Sequence, residues 1–171
     1  MKGSTRNGPT IERYKEGRPS VLGAASGMVA GLATITPASG FVTVPAAFCI
    51  GLVGGAVCYF AVTKLKAMCK YDDSLDVFGV HGVGSTIGML MLGFLASADV
   101  NSAIASTYTV NGQAVSLAGG MSQFMNQLKG VGLTIGLAVI GTFVILKIVD
   151  AIVGLRVVEE EETLGLDLSQ H

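Results

Sequence analysis

Four apolar stretches, each about as long as a membrane-crossing helix, dominate the sequence and leave its charges in the gaps between them. They cover residues 20–38, 45–63, 76–97 and 128–150. A bilayer core asks for roughly 20 apolar residues of helix, within a working range of about 17 to 25. The expected fold class is therefore an all-α integral membrane protein with four transmembrane helices. Half of the residues are hydrophobic, only 13% are charged and mean hydropathy is +0.62, a membrane protein's profile. Charge collects before residue 19, from Lys64 to Asp76, at the ends of the last stretch, and from Glu159 to Glu162.

Local signals fit these limits. Pro45 suits the first turn of the second span, where its missing N–H would be unpaired anyway, and Lys64 and Lys66 close that span. Ser74 or Asp76 is a candidate N-cap or first-turn acid for the third. Arg13, Lys15 and Arg18 precede the first span, and Lys64, Lys66 and Lys70 follow the second. The loops 39–44 and 98–127 carry no Lys or Arg. Because cytoplasmic loops collect basic residues near span ends, both termini are expected in the cytoplasm. The expected organisation is a cytoplasmic segment 1–19, a membrane domain 20–153 and a cytoplasmic tail 154–171.

Net charge is −1 and no basic patch is interleaved with aromatics, which argues against nucleic acid as a partner. Membrane lipid is the expected surrounding. Cys49, Cys58 and Cys69 lack C-x-x-C spacing and nearby histidines, so they read as core filling, and no metal or cofactor is expected. The polar N-terminal residues do not form the apolar core of a signal peptide. Glycines recur every four residues at Gly23, Gly27 and Gly31, at Gly51 and Gly55, at Gly84 and Gly88, and at Gly132 and Gly136. Such faces allow close backbone approach and indicate a tight bundle.

His81 stands in D-V-F-G-V-H-G-V-G, residues 76–84, at the start of the third span. An ionisable ring in hydrocarbon is costly and usually faces a pore or a protein interior, so two readings stand, a transport path and a buried histidine satisfied by a neighbouring helix. Val77 lies one turn earlier on the same face, where ordinary core packing accounts for it. An enzyme is not expected, because His81 has no intramembrane nucleophile or second histidine beside it in the pattern.

Three segments in order carry a resemblance: G-L-A-T-I-T-P-A-S-G-F-V at 31–42, the His81 motif preceded by Asp72 and Asp73, and G-L-R-V-V-E-E-E-E-T-L-G-L-D at 154–167. Together they are similar to the C-terminal part of the ammonium transporter (Amt/Rh-type ammonium channel) family, across nearly everything after Glu12. The resemblance implies that the four spans match the last four of the family's eleven. It implies a narrow hydrophobic pore between two inverted repeats, with His81 as one of a histidine pair and ammonium crossing as ammonia. A neutral imidazole donates from one nitrogen and accepts at the other, which suits a small uncharged amine. It also implies that Val77 lines the pore, that Asp76 supports pore architecture, and that Asp72 and Asp73 flank an inner vestibule, although a solvated loop accounts for those two as well.

By the same resemblance the first repeat, the outer recruitment site and the partner histidine fall outside this chain, as in a truncated gene, a misassigned start or an isolated half, and the C-terminus stops early. The expected function is transmembrane transport of ammonium or ammonia as part of a cell-membrane channel. The alternative is a truncated, non-conducting fragment that only associates with other subunits. The family further implies a homotrimer and a PII-type signalling protein as partner. Ser169 sits where plant relatives carry a phosphorylated threonine, so it is a candidate regulatory phosphosite, with an unmodified tail serine as the other reading.

Overall fold

The computed structural model describes residues 21–105, 108–157, 160–161 and 165, with the side chains of these except residues 22, 108, 110 and 113–115. The chain divides into two units, Met1–Val131 and Gly132–His171.

Helix α1 covers Val21–Ile35 and tightens into a 3₁₀ turn at Thr36–Ala38, where Pro37 cannot continue an α-helical ladder. Its two threonine hydroxyls are satisfied within the helix: Thr34 Oγ1 donates to the Ala30 carbonyl at 2.8 Å and Thr36 Oγ1 to that of Leu32 at 2.6 Å. Hydroxyls in apolar helices commonly find the preceding turn in this way. Gly40, at φ +81°, then makes the reversal that a side chain would resist. Helix α2 runs Val44–Cys69 with Pro45 in its first turn and ends at Lys70 in the left-handed conformation. Helix α3 runs Phe78–Leu95 and α4 Met121–Ile152.

α2, α3 and α4 are each long and apolar enough to cross a membrane, and the described part of α1 is 15 residues. The helical architecture expected from the four apolar stretches is thus the one observed. One addition lies in the long connection before α4, where β1 (Tyr108–Val110) pairs antiparallel with β2 (Gln113–Val115). Asn111 and Gly112 turn this hairpin at φ +52° and +79°, the two positive angles that a tight hairpin needs and that Asn-Gly adopts readily.

In the first unit the helices converge on Thr34, which has no exposed surface. A Cβ on Gly84 would stand 3.0 Å from both Thr34 Oγ1 and Cys58 Sγ. One on Gly54 would collide with the Thr34 side chain, and one on Gly88 with the Thr34 carbonyl oxygen. Three glycines on α2 and α3 therefore let a buried threonine sit at backbone distance, the small-residue packing that lipid-embedded helices favour. Around it are two small clusters: Ala30, Ala33, Cys58 and Val80, and Ala38, Ile50 and Leu92. At the C-terminal end of α3 the Phe94 and Phe124 rings stack at 4.5 Å.

The glycine faces expected to close the bundle do so only in part. Gly84 and Gly88 are packed as expected, but Cβ atoms on Gly31, Gly51, Gly55, Gly132 and Gly136 would meet open space. The reason is rotational: α2 presents Gly54, one position off the expected pair, to α1. Large apolar side chains are correspondingly exposed on the first unit, among them Met28, Leu32, Phe48, Leu52 and Phe60. In the second unit, Lys147 Nζ lies 5.9 Å from the centroid of the Phe143 ring, and Gly154, at φ +80°, follows the end of α4 as a left-handed cap.

Candidate functional site

The site is built where α2 ends and α3 begins. Both helices contain a π-helical turn there, Ala61–Leu65 in α2 and Phe78–Gly82 in α3. Each is marked by a backbone bond spanning five residues: the Lys66 N–H donates to the Ala61 carbonyl, and the Val83 N–H to that of Phe78. π turns are rare and cluster at functional sites. They touch each other closely, since a Cβ on Gly79 would lie 2.5 Å from Val62 Cγ1. His81 sits inside the second one.

The connection between them is held by charge. Asp73 accepts the backbone N–H groups of Val77 and Phe78 on its two carboxylate oxygens, both at 2.9 Å. It thereby caps the positive end of α3. Neither Ser74 nor Asp76, the residues expected in that role, does so. Asp76 takes a left-handed conformation at φ +57°, and its Oδ1 instead accepts from Lys66 Nζ at 2.6 Å. The same ammonium donates to the Asp73 carbonyl oxygen. Substituting Asp73 with alanine leaves two N–H groups without partners and is expected to cost about 1 to 2 kcal/mol. Faster amide exchange at Val77 and Phe78 in the variant is the measurement that checks it.

Tyr71 stands over this junction, its ring edge-on to Phe78 at 5.6 Å. Its phenolic oxygen is buried without a hydrogen-bond partner. Burial, and next the Asp73 carboxylate, push the phenol above its ordinary value, so it stays protonated through the neutral range.

His81 and Asp76 both line a cavity of about 620 Å³, together with Val80, Leu75, Ser26, Cys58 and Tyr59. Ala24, Gly27, Gly51 and Gly55 contribute a wall of small residues. The His81 ring is exposed toward this space, while the backbone just before it is fixed from behind, since Cys58 Sγ donates to the Val80 carbonyl at 3.7 Å. Among the described residues His81 is the only histidine, and no group of three or more His, Cys, Asp or Glu could hold a metal ion. Chemically, the cavity offers one imidazole able to donate and to accept on an otherwise mostly apolar wall. Asp76 is compensated by Lys66, so it does not present an unopposed negative charge.

Of the other expected site residues, Asp73 caps α3, Asp72 is exposed in the connecting loop, and Val77 is half exposed and lies outside the cavity wall. Ser169 lies outside the described residues. Lys66 was read from the sequence only as a marker of membrane topology. Its pairing ten residues away with Asp76 is the feature that reading missed, and a lysine ending one span with an acid opening the next was the available signal.

The sequence profile of the Ammonium Transporter Family matches residues 7–171. An ammonium transporter of Bacillus subtilis is 46% identical over 154 residues, covering 90% of this chain and 36% of that protein. The ammonium transporter Amt1 of Archaeoglobus fulgidus is 45% identical over 156 residues, covering 91% and 37%. Among solved structures, Saccharomyces cerevisiae Mep2 superposes with a TM-score of 0.77 at 35% identity, over 97% of this chain and 36% of that one. The chain thus spans about a third of the length of the relatives it matches.

Proposed function

The chain belongs to the ammonium transporter family, and from that membership we propose that it supplies one wall of a path by which ammonium or ammonia crosses a membrane. It is a multi-pass membrane protein, and the family's members are transporters rather than enzymes. The observation that carries the proposal is His81, on the wall of a cavity whose remaining lining is largely small and apolar.

Transport on this proposal is a matter of selective solvation. A small amine entering an apolar passage loses its water, and burying an unpaired polar group is costly. His81 offers a replacement partner, accepting from an N–H or donating to a lone pair. The compensated Lys66–Asp76 pair gives a cation no unpaired carboxylate to rest on, so a solute is passed rather than trapped. Val77 lines the pore one turn before His81, and Asp72 and Asp73 flank its inner vestibule. Residues 20–153 form the membrane domain and 154–171 a cytoplasmic tail bearing Ser169, with both ends of the chain on the cytoplasmic side of the cell membrane. A trimer, and a PII-type protein docking from the cytoplasm, follow from the family resemblance.

The cavity is open on the side where Met28 and Leu52 are exposed, so a complete path needs further protein to close it. The test is growth at low ammonium of cells lacking their own ammonium transporters, given this chain alone or with a matching N-terminal half from a relative. Growth is expected with both pieces and not with the chain alone. Absence of growth with both pieces, each verified in the membrane, would favour the non-conducting fragment.

A further inference from the structure

We propose that Lys66 is a positioning residue for His81, holding the π turn of α3 in the rotation that aims the imidazole into the cavity. This assignment rests on the functional reading above for its purpose, and on separate observations for its geometry. The Lys66 ammonium joins two points of the loop that precedes α3, the Asp73 carbonyl and the Asp76 carboxylate. Those two residues are also the ones from which α3 starts: Asp73 caps the Val77 and Phe78 N–H groups, and the Asp76 carbonyl accepts the Val80 N–H at 2.9 Å. The loop is therefore pinned at both of the residues that determine where the helix begins.

Three features indicate that this pin controls rotation rather than only stability. Asp76 is held at φ +57°, a conformation unfavourable for a non-glycine residue unless its surroundings fix it. The π turn beside it carries one residue more than an α turn would, so relaxation to α-helical spacing would move His81 around the helix axis. Finally, Lys66 itself lies immediately after the π turn of α2, whose Val62 packs against Gly79 in the facing turn. The two irregular turns and the ion pair thus form one unit, in which the lysine is aimed by one π turn and steadies the other. The pair is only part-buried, with side-chain exposures of 29% for Lys66 and 16% for Asp76, so its contribution is local.

The test reads the turn without reading transport. In the full chain in membrane vesicles, with C49A and C69A as background and the buried Cys58 kept as the donor to the Val80 carbonyl, a reporter is introduced as Val80→Cys, or as Leu92→Cys for comparison, and labelling of the parent and of its Lys66 variants without a reporter is subtracted. Val80 is 8% exposed and precedes His81, and Leu92, at the other end of α3, is 7% exposed. Lys66→Ala is expected to raise the rate of N-ethylmaleimide labelling at position 80 by at least about tenfold, the scale of losing one charge-assisted hydrogen bond. Labelling at position 92 should not change. Lys66→Arg, whose guanidinium can reach the same two oxygens, should restore the slow rate. An unchanged rate at position 80, an equal rise at positions 80 and 92, or no rescue by Lys66→Arg would each overturn the assignment. Labelling requires no transport, so failure of the growth test above and failure of this one are separate results.

Discussion

Replacing Gly88 with alanine is expected to disrupt the helical core, by about 3 kcal/mol or more, the upper end of what overpacking usually costs. The added Cβ would overlap the Thr34 carbonyl oxygen and stand 3.0 Å from Pro37 Cγ. Neither neighbour can rotate away, because one is backbone and the other belongs to the ring that ends α1. The chain would have to separate α1 from α3, and so expose Thr34, whose hydroxyl and backbone are now fully buried. Gly51→Ala is the matched control. Its Cβ meets open space, and alanine is the better helix former by about 1 kcal/mol, so it should be neutral or slightly stabilising. Unfolding midpoints in detergent, with protease resistance in membranes, separate the two. Equal behaviour of the variants would mean that the Thr34 junction is not where these helices meet.

When this chain is supplied with a complementing N-terminal half, His81→Ala should lower ammonium flux through the pair by about tenfold to a hundredfold, the consequence of leaving a desolvating polar solute without its partner. Expression and membrane insertion should be unaffected. The ring is exposed toward the cavity, so its removal creates no packed void in this chain, in contrast to the removal of a core side chain. A loss of flux together with a loss of folded protein would instead assign His81 a structural role.

The helices were legible in the sequence because a bilayer imposes their length and composition so strictly that few alternatives survive. His81 stood out as a candidate for a related reason, since an ionisable residue inside an apolar run is itself the exception. What could not be read was the pairing of particular groups. Asp72, Asp73, Ser74 and Asp76 crowd into five positions, of which only Ser74 and Asp76 were expected as caps, and their order does not tell which side chain meets the α3 amides. That choice depends on the left-handed turn at Asp76 and on Lys66 drawing the Asp76 carboxylate away. The glycines pose the same difficulty. With so many small residues on each helix, spacing marks several usable faces, and the rotation that puts Gly54 rather than Gly51 or Gly55 against Thr34 is decided by shape across three helices. The π turns left no sequence signature, because they redistribute backbone hydrogen bonds among residues that are equally at home in an α-helix. The hairpin was readable from Asn111-Gly112 and was passed over beside the stronger signal of the spans.

The proposed role of His81 on a path for ammonium is tested most directly in proteoliposomes holding this chain together with a complementing N-terminal half, by following internal pH after an imposed ammonium gradient. A rapid pH response with both pieces that is slowed at least about tenfold by His81→Ala is the predicted result. An unchanged response in the His81→Ala variant, or an equal response from the N-terminal half alone, would contradict it.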